Sequence, residues 1–183
     1  MSYIKLKYKL DKIFSILVLP LLLPLLFIVS LLIILSDGFP IFHYGKRAGL
    51  ANKSFTCYKF RTLKLNSKTP INKITIFFRK ANIDELPQLL NIIKGDMSLI
   101  GPRPHDVDED IFFDQNIKNY YLRKSVKPGM TGLAAVNGNR GGAELNIITK
   151  RLEYDLNYIN NLSLTLDIKI FFKTIYISIF PNH

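Results

Sequence analysis

"IFSILVLPLLLPLLFIVSLLIIL", Ile13 to Leu35, is 23 residues without a charged side chain, and its reading decides the architecture. As a helix rising about 1.5 Å per residue it reaches roughly 35 Å, enough to cross the hydrocarbon core of a bilayer. It exceeds the h-region of a cleaved leader, about 7–15 residues, and no small-x-small cleavage site follows it. Two features count against a plain span. Pro20 and Pro24, four apart and so on one face, each remove a backbone donor, which favours a kink or break. The flanks are both basic: Lys5, Lys7, Lys9 and Lys12 before the run, Lys46, Arg47, Lys53, Lys59 and Arg61 after it. Since both flanks prefer the cytoplasmic side, a re-entrant helix that bends at the prolines competes with a spanning one.

Beyond "SDGFP", Ser36 to Pro40, the composition turns polar and mixed, so the reading divides the chain into a membrane element over 1–40 and a soluble domain over 41–183. "SFTCYKFRTL", Ser54 to Leu63, is β-branched and aromatic, which predicts a strand with Lys59 and Arg61 on one face. From Asp84, the spacing of Leu86, Leu89, Leu90 and Ile93 predicts a short amphipathic helix with Pro87 in its first turn and Gly95 as its stop. "KPGMTGLAAVNGNRGG", Lys127 to Gly142, reads as loop with little helical character. Leu145, Ile148, Leu152, Leu156 and Ile159 predict a second clear helix. The tail from Ser163 to Phe180 is apolar with Lys169 and Lys173 interposed, as in a packed or a membrane-surface helix. The fold class is therefore mixed α/β and helix-rich.

A formal net charge of +11 over 183 residues points to a polyanionic partner: nucleic acid, anionic lipid or a phosphate-rich substrate. Cys57 is the lone cysteine, which excludes an intramolecular disulfide and reads as a small buried hydrophobe. His43, His105 and His183 show no metal-ligand spacing, so no zinc is expected.

The chemistry concentrates in "IDELPQLLNIIKGDMSLIGPRPH", Ile83 to His105. Asp84 and Glu85 would open a helix, where unpaired N–H groups keep a carboxylate ionised as a nucleophile or a Mg²⁺ ligand requires. Alone, such a pair is more often a cap. "GPRP", Gly101 to Pro104, fixes the backbone on both sides of Arg103, either a rigid turn or a mount for one guanidinium. Lys59, Arg61, Arg79, Arg103, Lys127 and Arg140 are the candidate phosphate grips, if the fold gathers them.

Taken in order, "KFRTL", "DELPQLLNIIKGDMSLIGPRPH", "KPGMTGLAAVNG" and "RLEYDLNYINNLSLTLDIKIFFKTI" resemble the bacterial sugar transferase family, the monotopic phosphoglycosyl transferases, from about residue 40 onward. The resemblance implies a re-entrant helix bent at Pro20 or Pro24, with a catalytic domain and interfacial amphipathic helices on the cytoplasmic face of the bacterial inner membrane. It implies that Asp84 attacks the β-phosphorus of a UDP-sugar, expels UMP, and passes the sugar phosphate to a polyprenol phosphate, undecaprenyl phosphate foremost. It further implies Mg²⁺ with Asp84 as ligand, Glu85 supporting metal or proton placement, and Arg103 on phosphate. More narrowly, "GPRPH" and the segment after Arg140 resemble the glucose phosphotransferase branch, whose additional N-terminal helices and domain are not seen here, as in a minimal catalytic form. Leu133 and Ala135 stand where that family commonly has an aromatic and a glutamine, so glucose is the leading sugar with an N-acetylated or deoxy sugar behind it. The competing class is a non-catalytic, membrane-anchored basic domain on anionic lipid or nucleic acid; no RNA-binding signature accompanies the aromatic and basic residues of "TCYKFRTLK", and nucleic acid is not expected as a partner.

Overall fold

The structure is a computed structural model, and it describes residues 3–139 and 141–180. A single helix, α1 (Tyr3–Asp37), contains the whole apolar run and the basic segment before it. At 35 residues it is about 52 Å long. The backbone stays helical through both Pro20 and Pro24, so neither proline breaks the helix, while a bend within it is compatible with this continuity. Most of α1 is apolar and exposed, with Leu17, Leu21, Phe27 and Leu35 among its bare side chains.

A hairpin follows, β1 (Phe42–Ala48) pairing antiparallel with β2 (Ser54–Phe60) in a register that sets His43 opposite Lys59. The strand expected from Ser54 thus ends at Phe60, short of Arg61. Helix α2 (Lys73–Lys80) begins with a capping box in which Asn72 accepts from Thr75 N–H and Thr75 Oγ1 accepts from Asn72 N–H. The helix expected from Asp84 is corrected. Ile83–Gln88 is a 3₁₀ turn entered from Asn82 in the left-handed region (φ 58°), and only then comes α3 (Leu89–Lys94), closed by Gly95 at φ 94°. Asn tolerates the left-handed conformation, Gly more so, which is why the chain reverses at these two positions.

Strand β3 (Ser98–Ile100) pairs in parallel with β4 (Gly129–Thr131). Helix α4 (Val107–Asn116) and a 3₁₀ turn, Tyr120–Ser125, lie between them. The stretch from Lys127 read as loop carries both β4 and a short helix, α5 (Leu133–Val136). Helix α6 (Leu145–Asn160) follows, as the periodicity predicted, and then α7 (Leu164–Ile179) in the apolar tail that was read as a packed or membrane-surface helix.

Apolar packing joins α1 to the rest. Val29 and Ile33 are buried with Phe60 and Phe78, and Ile83 packs against them. Further back, Val18, Leu19 and Leu22 cover Cys57, Leu89, Ile92 and Met97, so the cysteine is a core residue as expected. The N-terminal part of α1 is tied by charge. Lys7 Nζ lies 2.9 Å from Asp167 and 3.3 Å from Asp11, while Asp11 accepts from Leu99 N–H at 3.2 Å and from the Ser98 hydroxyl. Lys7 is therefore a buried partner in an ion-pair network rather than part of a solvated basic flank. At the other end Asp37 pairs with Arg61. Both ends of α1 thus bind the same domain.

Candidate functional site

The 3₁₀ turn packs on β2 beside the hairpin, and Ile83 anchors it against α1. This geometry turns Asp84 and Glu85 inward: both are under 9 % exposed. They sit at the edge of an open cleft of about 950 Å³. Eight Lys and Arg side chains line it against these two carboxylates: Arg47, Lys59, Arg61, Lys64, Lys68, Arg79, Lys80 and Arg103. A cleft so charged is built for an anion with several oxygens.

The two carboxylates have opposite environments. Glu85 Oε1 accepts from Lys59 Nζ at 2.7 Å and from Arg103 at 2.9 Å. Burial pushes the Glu85 carboxyl up, but Arg103 and Lys59 more than offset it and hold it at about 2. Its lone pairs are engaged, so it orders the two cations and has little left for a metal or a proton. Asp84 Oδ1 is buried without a hydrogen-bond partner. Burial, reinforced by the neighbouring Glu85 charge, raises Asp84 to about 6, against the pull of Lys59, Arg79 and Arg103. A carboxyl at about 6 is still mostly ionised at neutral pH, as the sequence reading required, but desolvation rather than the N–H groups of a helix start dominates its state. A buried, underbonded carboxylate facing cations is poised for attack or ligation.

Of the sequence-predicted cations, Lys59, Arg61, Arg79 and Arg103 reach the cleft. Arg79 is exposed on α2, with one contact to Thr62 Oγ1 at 3.4 Å, and is positioned to take an incoming oxygen. Arg61 is largely spent: it pairs with Asp37 and donates to the carbonyls of Pro40, Asp37 and Gly38 at 2.6–3.1 Å. Its main structural work is to clamp the end of α1. Lys127 lies outside the lining of the cleft, with Nζ 4.5 Å above the Tyr8 ring. Arg140 falls outside the described residues. Lys80, which the sequence reading also counted among the cations around the carboxylates, lines the cleft, as do His43, Arg47, Lys64 and Lys68, which it did not count as phosphate grips. His43 was findable by pairing the hairpin, where it faces Lys59 across the register.

A divalent cation fits here only as a shared ion. Among the described residues no group of three His, Cys, Asp or Glu side chains converges. The orphaned Asp84 Oδ1 supplies one hard oxygen, and Mg²⁺ commonly takes one or two carboxylates with phosphate oxygens and water completing its shell.

Comparison with known proteins follows the same lines. The family model described as "Bacterial sugar transferase" matches residues 2–181. A UDP-glucose:undecaprenyl-phosphate glucose-1-phosphate transferase of Xanthomonas campestris pv. campestris is 37% identical over 177 residues, 90% of this chain and 37% of that protein. One of the same name from Caulobacter vibrioides is 37% identical over 181 residues, 92% of this chain and 68% of the relative. A UDP-N-acetylgalactosamine-undecaprenyl-phosphate N-acetylgalactosaminephosphotransferase of Aeromonas hydrophila is 38% identical over 188 residues, 94% of this chain and 43% of the relative. The chain thus spans less than half the length of two of these three proteins.

Proposed function

This chain belongs to the bacterial sugar transferase family, and from that membership we propose that it transfers a sugar 1-phosphate from a UDP-sugar to undecaprenyl phosphate, releasing UMP. The observation that carries the reading is Asp84, a buried carboxylate with one unpartnered oxygen at the wall of a strongly cationic cleft. In the first step an Asp84 oxygen attacks the β-phosphorus of the UDP-sugar. The bond from that phosphorus to the bridging oxygen breaks, and UMP leaves with the electron pair. The resulting sugar-phosphoryl aspartate is attacked by a phosphate oxygen of undecaprenyl phosphate. The aspartyl bond breaks, the carboxylate is regenerated, and the lipid diphosphate sugar departs.

Arg103 and Lys59, held by Glu85, face the oxygens that gain charge in both steps, and Arg79 with Lys64 and Lys68 receives the nucleotide phosphate. Asp84 would hold Mg²⁺ together with the diphosphate, and the ion when bound neutralises charge on the leaving group. Relatives named for glucose and for N-acetylgalactosamine support a hexose donor, with glucose the leading choice.

The membrane reading rests on α1. A helix whose two ends are both tied to one domain, through Asp167 at the start and Arg61 at the end, does not deliver those ends to opposite sides of a bilayer. This supports a monotopic, re-entrant seating in the inner membrane with the domain on the cytoplasmic face. Exposed Lys5, Lys9 and Lys12 suit anionic headgroups there. The site turn packs directly on α1, which keeps the nucleophile within reach of an acceptor that never leaves the membrane.

The test is UMP release from a panel of UDP-sugars with undecaprenyl phosphate and Mg²⁺. The wild type releases UMP from at least one donor and Asp84→Asn from none; release that survives the substitution overturns the assignment.

A further inference from the structure

We propose that the buried Arg123–Asp155 pair, backed by His105 and Arg151, positions Arg103 in the site; this rests on the transferase reading of the cleft. The need for such a device follows from the sequence. Pro102 and Pro104 remove two backbone donors from "GPRPH", so the segment is held largely through its carbonyls. Pro102 O accepts from Gly129 N–H at 2.9 Å, and His105 O from Ala48 N–H at 3.1 Å. The carbonyl of Arg103 itself accepts from a side chain, Arg123 Nη2, at 2.7 Å.

Arg123 is in turn fixed by Asp155 on α6, which takes Nε at 2.9 Å and Nη2 at 2.8 Å, both partners being about 5 % exposed or less. Its remaining nitrogen, Nη1, bonds the Tyr120 hydroxyl at 3.1 Å. His105 stacks on Tyr120 and closes the set. Its Nδ1 lies beside the Tyr120 hydroxyl, which donates to Asp110 at 3.0 Å, and 3.1 Å from Arg123 Nη1, while Nε2 accepts from Arg151 Nη1 at 2.9 Å. Burial, then the nearby Arg123 and Arg151, pushes the imidazole far below its usual range, which keeps it neutral. None of these groups is among the residues lining the cleft, so they act through Arg103 alone. With its backbone pinned, the Arg103 guanidinium can hold Glu85 at 2.9 Å and meet phosphate without reordering.

Two measurements test this in the full chain. The first is a double-mutant cycle on kcat/KM for UMP release with Arg103→Ala and Arg123→Lys. Arg123→Lys alone is expected to lose ~10- to 100-fold, the scale of a misplaced catalytic group, and to add nothing in the Arg103→Ala background. Losses that multiply, or wild-type activity in a folded Arg123→Lys, overturn the proposal. Asp155→Asn enters the same cycle should Arg123→Lys melt early by circular dichroism. The second is independent of activity: phenylglyoxal modification mapped by peptide mass, with exposed Arg79 as internal reference. Arg103 should react several-fold faster, relative to Arg79, in the variants than in wild type. An unchanged ratio overturns positioning whatever the kinetics show. A wild type that releases no UMP from any donor counts against the transferase reading, while the modification ratio still decides this one.

Discussion

Asp84 and Glu85 are adjacent in sequence and separated by about four pKa units, because one is desolvated and underbonded while the other is paired twice. If Asp84 must be ionised to attack, the rate falls as pH drops through about 6, far above the range of an ordinary aspartate. A pH–rate profile of UMP release should place its acid limb there; a limb near 4 would contradict the assignment. The same shift has a consequence for stability. A folded pKa above the unfolded one means that the cost of ionising Asp84 in the folded state builds up as pH rises from about 4 to about 6 and is fully present above that. Asp84→Asn should therefore stabilise the protein at pH 8, by up to about 3 kcal/mol from the size of the shift, with the gain shrinking toward pH 5. Thermal melts of both proteins at the two pH values check it. The motif around this residue was enough to name it as a candidate; its electrostatic state was not legible there, since burial depends on α1 and the hairpin. Arg61 shows the same limit. Its sequence neighbourhood suggests a phosphate ligand, whereas its long-range partner Asp37 makes it a clamp.

Elements differ in how openly the sequence announces them. Leu145 to Ile159 repeats at helical spacing and folds as α6; β2 follows from β-branched and aromatic residues. The 3₁₀ turn of Ile83–Gln88 mimics a helix start, and only the left-handed Asn82 distinguishes it. Strands β3 and β4 are three residues each, too short for any period, and are made by close approach. A Cβ on Gly129 would lie 2.1 Å from Gly101 N and 2.4 Å from Thr131 O, all backbone that cannot yield. Gly129→Ala should cost about 3 kcal/mol or more and disturb the mount of Arg103. Gly138→Ala meets no atom within 4 Å but sits at φ 82°, and should cost about 1 kcal/mol. Chemical denaturation of the two variants separates steric from conformational cost; equal losses would refute the close-contact argument.

At the scale of the whole molecule, the composition foretold a long apolar helix followed by a basic domain. It did not foretell that they share cores, because Val29, Ile33 and Leu19 look like any lipid-facing residues until their partners are known. The topology has a direct check. Single cysteines replacing exposed Lys5 and Lys46, in a Cys57→Ser background, should be labelled from the same side of sealed vesicles; labelling from opposite sides would mean that α1 spans. The central claim is covalent catalysis at Asp84. Incubating the protein with a UDP-sugar and Mg²⁺, without acceptor, and mapping peptide masses after a rapid quench tests it most directly. The account predicts one sugar-phosphate adduct on the peptide bearing Asp84, formed with stoichiometric UMP and discharged by undecaprenyl phosphate. UMP appearing only once the acceptor is added, with no adduct at any time, would contradict it.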